Sequence, residues 1–303
     1  MATEQTQRVD KNWQQRELDQ YSTEAILGTL AHYGVTTTAQ AFTELAKTTY
    51  PISIAHQWHA EWKGKGQFLK FPVAAAEELW HRFLPGEVAP VDVALALINL
   101  MKTLDSVLGE KKPDGTLETR FKVVENYVAK LPAPSERREL FEVEVMYALG
   151  EEWAEVLDAM GAALAGKQKR AEAERLTIIE ETLFPVRAGT ARALMRAALG
   201  ETAEAKADLT ALGADASKDP DVKIAVVDAL LDLKHLAEGQ TLLLSLVAQA
   251  DVNQDVERLS NLADRVSRLG GLLPRDEGRL MYTQFKGLIE SLPSHDAEAT
   301  PEV

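Results

Sequence analysis

Apolar residues recur along this chain about every 3.6 positions, and proline and glycine interrupt the pattern at short intervals. Residues 140–164 and 222–233 show the period most clearly. Runs that alternate apolar and polar residues between tight-turn dipeptides, as β-strands do, are missing. Breakers such as Pro51, Pro90 and Pro220 limit most segments to one or two helices. The pattern therefore predicts an all-α fold in which short loops join antiparallel helices.

Composition excludes several kinds of chemistry and disfavours several partners. Cysteine is absent, so the chain has no disulfide, thiolate nucleophile or cysteine-ligated metal. The net charge of −14 makes nucleic acid and anionic membranes unlikely partners, because both attract basic surfaces. The longest apolar run, Val93–Ile98, is far below the roughly 20 residues of a membrane span. Since residues 1–11 also lack a signal-peptide pattern, we expect a cytoplasmic protein without a membrane span.

The chain changes character along its length. Before residue 84 lie 11 of the 19 aromatic residues, with 8 Lys or Arg against 9 Asp or Glu, whereas the remainder carries 25 against 38. This asymmetry predicts an aromatic-rich N-terminal helical bundle followed by an acidic helical region. The predicted boundaries are a flexible arm at 1–14, the aromatic-rich domain at 15–108, a linker loop at 109–119, helical hairpins at 120–293 and an acidic disordered tail at 294–303.

Two segments spaced 34 residues apart indicate a repeat. The sequence GETAEA begins at Gly200, and KHLAEG begins at Lys234. Each ends in a small residue that is followed four positions later by leucine: Ala205 with Leu209, and Gly239 with Leu243. A segment at Gly150 has a similar but weaker pattern, 50 residues before Gly200.

This spacing resembles the tetratricopeptide repeat, a 34-residue helix-turn-helix unit, over about residues 186–253. Two ordinary amphipathic hairpins would give the same spacing. The resemblance implies an irregular α-solenoid whose first helices line a groove. On the family's register the groove holds eight positions: Arg187, Thr190, Leu194, Ala197, Asp221, Ile224, Asp228 and Leu231. We expect Arg187, Thr190, Leu194, Asp221 and Asp228 to contact an amphipathic segment of a partner protein.

A second candidate binding surface is the segment 62–72, in which Lys63, Lys65 and Lys70 alternate with aromatic residues. Such a loop could contact an acidic protein or stack on nucleic-acid bases. Alternatively, its aromatic residues pack inward while the lysines stay in water.

Four N-terminal residues have spacings compatible with metal binding. His56 and His59 are three residues apart, as are Glu78 and His81, so each pair lies on one helical face. A carboxylate-bridged di-iron bundle needs more such ligands than this region offers. A metal-binding protein or enzyme at this site is therefore the alternative hypothesis, and packing around an aromatic core is the favoured interpretation.

The remaining sequence patterns give no indication of catalysis. The acidic run from Glu136 to Glu155 predicts a solvated helical face. The usual catalytic motifs are missing, and no cofactor is expected. The sequence therefore favours a non-enzymatic protein-protein interaction module, such as an adaptor, a scaffold or a chaperone-like protein.

Overall fold

The computed structural model describes residues 18–65, 70–109, 116–133, 135–150, 153–252 and 255–290. All regular secondary structure in these ranges is helical, which confirms the predicted all-α fold. The predicted arm at 1–14, the tail at 294–303 and most of the linker at 109–119 lie outside the described residues. The chain divides into two units, Met1–Met160 and Gly161–Val303. The helices on either side of the predicted linker, which end at Leu108 and begin at Leu117, pack together within the first unit.

The described part of the first unit begins with a 3-10 turn at Leu18–Gln20 and continues through consecutive helices. These are α1 (Thr23–His32), α2 (Ala39–Leu45), α3 (Pro51–His59), α4 (Phe71–Phe83), α5 (Pro90–Leu108), α6 (Leu117–Val128) and α7 (Glu136–Leu149), after which α8 (Trp153–Gly166) follows. Proline stands in the first turn of α3, α4 and α5. There its fixed φ suits the helix and its missing N–H costs nothing, so the breakers seen in the sequence start these helices.

Aromatic side chains form much of the core of the first unit. Tyr50 lies between Trp80 and Phe141, with ring centroids 5.4 and 5.2 Å away, and Phe42 packs edge-on against Phe83 at 5.7 Å. Tyr50, Trp80, Phe42 and Phe141 are fully or almost fully buried. Offset and edge-on pairs of this kind add to the stabilisation from burial alone. The aromatic bias of the sequence thus reflects an aromatic core.

The second unit consists of consecutive helices joined by short turns. After α8 come α9 (Arg170–Leu183), a 3-10 turn at Pro185–Arg187, α10 (Thr190–Ala198), α11 (Thr202–Ala214), α12 (Pro220–Asp232), α13 (Leu236–Val252), α14 (Val256–Leu272) and α15 (Arg275–Glu290). From α9 to α15, each helix contacts the next one along the chain. In addition, α12 contacts both α10 and α14. Alternate helices therefore lie side by side.

Three turns in the helical-hairpin region share one backbone geometry. Gln168, Gly200 and Lys234 have φ of 60°, 90° and 62°, the left-handed conformation that closes a helix. In each turn the next residue donates its N–H to a carbonyl five positions earlier, at 2.9 to 3.0 Å. Two of the turns are those that the 34-residue spacing predicted. The third turn occurs at Gln168 and not at Gly150, the start of the weaker repeat segment. Gly150 also has a positive φ, of 99°, and follows the last residue of α7.

The small and bulky positions of the predicted repeat lie in the core of the second unit. Ala205, Leu209 and Leu243 are fully buried. A Cβ added to Gly239 would stand 3.0 Å from the end of the Leu231 side chain, which would have to shift to make room for it. These positions pack as the alignment predicted, and the resemblance to tetratricopeptide repeats stays a prediction.

Candidate functional site

The predicted groove residues of α10 and of the 3-10 turn before it are engaged inside the second unit. Thr190 is only 2% exposed, and its hydroxyl donates a hydrogen bond to the Arg187 carbonyl at 2.7 Å. The Arg187 guanidinium donates from Nε to Oε1 of the buried Glu180 at 2.8 Å. Leu194 is half-buried and packs on the core formed with Leu209. These predicted partner contacts are therefore used for internal packing.

Most of the predicted groove residues of α12 are also engaged inside the second unit. Asp228 accepts hydrogen bonds from Arg265 of α14, the shortest at 2.9 Å from Nη2, and Arg268 lies 3.7 Å away. Asp228 thus joins α12 to α14. Ile224 and Leu231 are buried, whereas Asp221 is exposed at the start of α12. Of the five predicted contacts in the groove, only Asp221 presents an exposed side chain.

The lysine-rich segment keeps its cations in water, and its two described aromatic rings, Trp62 and Phe71, pack against each other. Lys63, Lys65 and Lys70 are exposed, and residues 66–69 lie outside the described part of the chain. Trp62 stacks on Phe71 with centroids 5.8 Å apart and planes 8° from parallel. This arrangement favours the packing interpretation for Trp62 and Phe71, because a ring stacked on its neighbour offers less surface for a base.

The residues of the alternative metal site do not converge. His56 and His59 are exposed on α3, 6.1 Å apart between ring centroids. Glu78 instead accepts from Arg82 Nε at 2.9 Å, and His81 Nε2 lies 2.8 Å from Asp92 Oδ2. Within the described ranges, no three His, Asp or Glu side chains are arranged to hold a metal ion. The four residues of the alternative hypothesis are therefore not brought together as one ligand set in the described structure.

A surface that the sequence did not predict lies along α7. Leu140, Val143 and Tyr147 are 38%, 63% and 66% exposed. Their spacing places them on one face of the helix, where we call them the α7 stripe. Scattered exposed apolar residues are normal on proteins, but three in register over two helical turns form a continuous patch. The α7 stripe is the candidate functional site.

Beside the α7 stripe, the helix is fixed to the fold by a buried carboxylate. Glu144 is 3% exposed and accepts the N–H groups of Ile52 and Ser53, at 3.0 and 2.8 Å. These are orphan donors at the start of α3, whose N-cap residue Tyr50 makes no side-chain cap. Burial raises the pKa of the Glu144 carboxyl, against the opposing effect of its hydrogen bonds. The prediction that the acidic run is a solvated face is thus wrong at Glu144.

Glu144 holds α3 against α7, and this places a histidine at one end of the stripe. The His56 ring meets the Tyr147 ring edge-on, with centroids 6.1 Å apart. Because the buried face of α7 is tied down, the α7 stripe is presented on a rigid support. A preordered surface loses less conformational entropy when a partner binds.

One sequence signal could have revealed the stripe. Between residues 140 and 149, apolar residues occur on more than one face of the helix, so a single core-facing stripe cannot account for all of them.

Comparisons with known proteins returned no matching family model, no matching curated protein and no matching solved structure. Among the described helices, none is both long and apolar enough to cross a membrane.

Proposed function

We propose that this protein is a non-enzymatic interaction module, of the adaptor or scaffold type, and that it binds a partner protein through the α7 stripe. The observation that carries the proposal is the exposure of Leu140, Val143 and Tyr147 in register on one helix. Aromatic and aliphatic side chains grouped in this way are typical anchors of protein interfaces. The proposal moves the binding surface from the groove expected at α10 and α12 to α7.

In this proposal the second unit is a helical array that resembles degenerate tetratricopeptide repeats. The three left-handed turns and the buried small residues support that interpretation. Its ion pairs, such as Asp228 with Arg265, hold neighbouring helices together.

The test compares two double variants of the full chain. Val143→Ser with Tyr147→Ser removes most of the α7 stripe, and Ile178→Ser with Leu280→Ser removes two similarly exposed apolar side chains from the second unit. All four side chains are more exposed than buried, so neither variant should change the melting temperature appreciably. Reburying Val143 and Tyr147 in an interface is worth about 2 kcal/mol in total, or roughly thirtyfold in Kd.

Each protein is immobilised in turn and exposed to native cell lysate, and the retained proteins are quantified by mass spectrometry. We expect a protein that the wild type and the Ile178 and Leu280 variant retain, and that the Val143 and Tyr147 variant loses. Identical profiles for all three proteins would refute the proposal. So would the absence of any retained protein.

A further inference from the structure

Basic and acidic side chains of α7 differ in their surroundings: the basic ones are paired within the protein, and two acidic ones near the α7 stripe are exposed. Both cations of α7 are directed into the fold: Arg138 is buried and donates to Glu142 at 2.6 Å, and Arg137 is ion-paired with Glu87. The Arg137 guanidinium also lies 5.1 Å from the centroid of the Tyr50 ring and donates to a backbone carbonyl. The cationic charge of this helix is therefore used internally.

Two of the four acids of the same helix remain in water, whereas Glu142 is paired with Arg138 and Glu144 is buried. Glu136 and Glu139 are exposed, and neither makes an ion pair or a side-chain hydrogen bond within the described part of the chain. Glu136 is one helical turn before Leu140 and two turns before Val143, so it continues the stripe toward the start of α7. The exposed surface of α7 thus runs from acidic to apolar.

We infer that the occupant of the α7 stripe is a cationic amphipathic helix of the partner protein, with Lys or Arg placed over Glu136 and Glu139. This inference rests on the proposed function. Exposed apolar residues at i, i+3 and i+7 match the ridges of a second helix, as in helix-in-groove recognition and coiled coils. Basic residues beside its apolar face would pair with the two free carboxylates, as flanking charges do in coiled coils.

Charge also argues against a second copy of this chain as the occupant. Each copy carries a net charge of −14, so the association of two copies meets long-range repulsion that a basic partner does not. A basic partner would also be steered toward the acidic surface, which raises its association rate at low salt.

The probe is a fluorescein-labelled helical peptide of about 18 residues, with leucine on one face and lysine on the other. A matched peptide has glutamate in place of lysine. Fluorescence anisotropy with the full-length protein gives Kd at about 50 mM and about 300 mM salt. We expect the lysine peptide to bind at least about tenfold more tightly than the glutamate peptide, by an amount that falls with salt.

Two pairs of variants assign this binding to the stripe. Val143→Ser with Tyr147→Ser should weaken the lysine peptide about tenfold or more, whereas Ile178→Ser with Leu280→Ser should leave its Kd within about twofold. Glu136→Lys with Glu139→Lys should abolish or reverse the preference for the lysine peptide. Glu204→Lys with Asp264→Lys makes the same change in net charge at exposed positions of the second unit and should preserve the preference.

Three results would overturn the inference. If all variants bind the lysine peptide equally, the peptide recognises the acidic protein as a whole. If light scattering shows a dimer of the wild type that the Val143 and Tyr147 variant loses, the occupant is a second copy. If the lysate experiment finds a stripe-dependent partner that the lysine peptide does not displace, the proposed function stands and the cationic helix is refuted.

Discussion

The carboxylate of Glu144 joins α7 to α3, and removing it should destabilise the first unit. The substitution Glu144→Ala leaves the N–H groups of Ile52 and Ser53 without their acceptors, 3.0 and 2.8 Å away. Buried donors left unsatisfied cost about 1–3 kcal/mol each, and the substitution also leaves a cavity. Relief from burying a carboxylate offsets part of this cost. We therefore expect a loss of about 2–4 kcal/mol in the free energy of unfolding.

The assay is urea denaturation followed by circular dichroism, with a thermal melt as a second measurement. For a unit of about 150 residues, a loss of this size corresponds to a fall in Tm of roughly 5–12 °C. Glu139→Ala is the matched control, because Glu139 is exposed on the same helix and makes no ion pair or side-chain hydrogen bond with the described residues. It should change the free energy of unfolding by no more than about 0.5 kcal/mol. Equal stabilities for the two variants would refute the capping role of Glu144.

The Glu144 carboxyl also makes the stability of the protein depend on pH, in a direction that follows from its raised pKa. Burial raises the pKa of Glu144 in the folded state, so the folded protein binds this proton more readily than the unfolded chain. Stability from this group therefore falls as pH rises from the ordinary glutamate pKa to the raised one. Glu144→Gln removes this dependence and keeps one acceptor oxygen. The wild type should exceed this variant in stability by more at pH 4.5 than at pH 7.5, whereas a difference that grows with pH would contradict the assigned shift.

The remaining predictions concern substitutions from or to glycine, and urea denaturation tests each of them. A Cβ on Gly278 would stand 2.1 Å from the Gly270 carbonyl oxygen, so Gly278→Ala should force α14 and α15 apart and cost about 1–3 kcal/mol. Gly287→Ala on the same helix meets no atom within 4 Å and should instead stabilise by about 0.5–1 kcal/mol. At the two turns 34 residues apart, Lys234→Gly should stabilise the protein and Gly200→Ala should destabilise it, each by about 1 kcal/mol, because both positions have left-handed backbone conformations. A destabilising Lys234→Gly or a stabilising Gly200→Ala would contradict the shared turn geometry.

Features that depend on local rules were predictable from the sequence. The prolines at the start of α3, α5 and α12 mark helix boundaries because a pyrrolidine ring is compatible with the first turn and not with the interior. The turns at Gly200 and Lys234 followed from the 34-residue spacing. The weaker segment at Gly150 lies 50 residues before Gly200 and did not fit this spacing, although Gly150 does end α7.

Features that depend on which face of a helix is covered were not predictable. Residues such as Phe141 and Val145 on one face of α7, and Val143 and Tyr147 on another, satisfy the same 3.6-residue period. Periodicity predicts the helix but cannot select the buried face when apolar residues surround it. The same ambiguity hid Glu144, which belongs to an acidic run by sequence and to the core by position.

The choice of face on α7 is itself informative about function. Folding buries Arg138 and Glu144 on the inner side of this helix and leaves Leu140, Val143 and Tyr147 in water. Burying charged groups requires compensating partners, and exposing apolar ones forgoes the free energy of their burial. Stability alone would favour the reverse arrangement. Departures of this kind from the rules of folding concentrate at functional sites. The α7 stripe is therefore the surface to test for a partner, more than the predicted groove residues, most of which make contacts within the second unit.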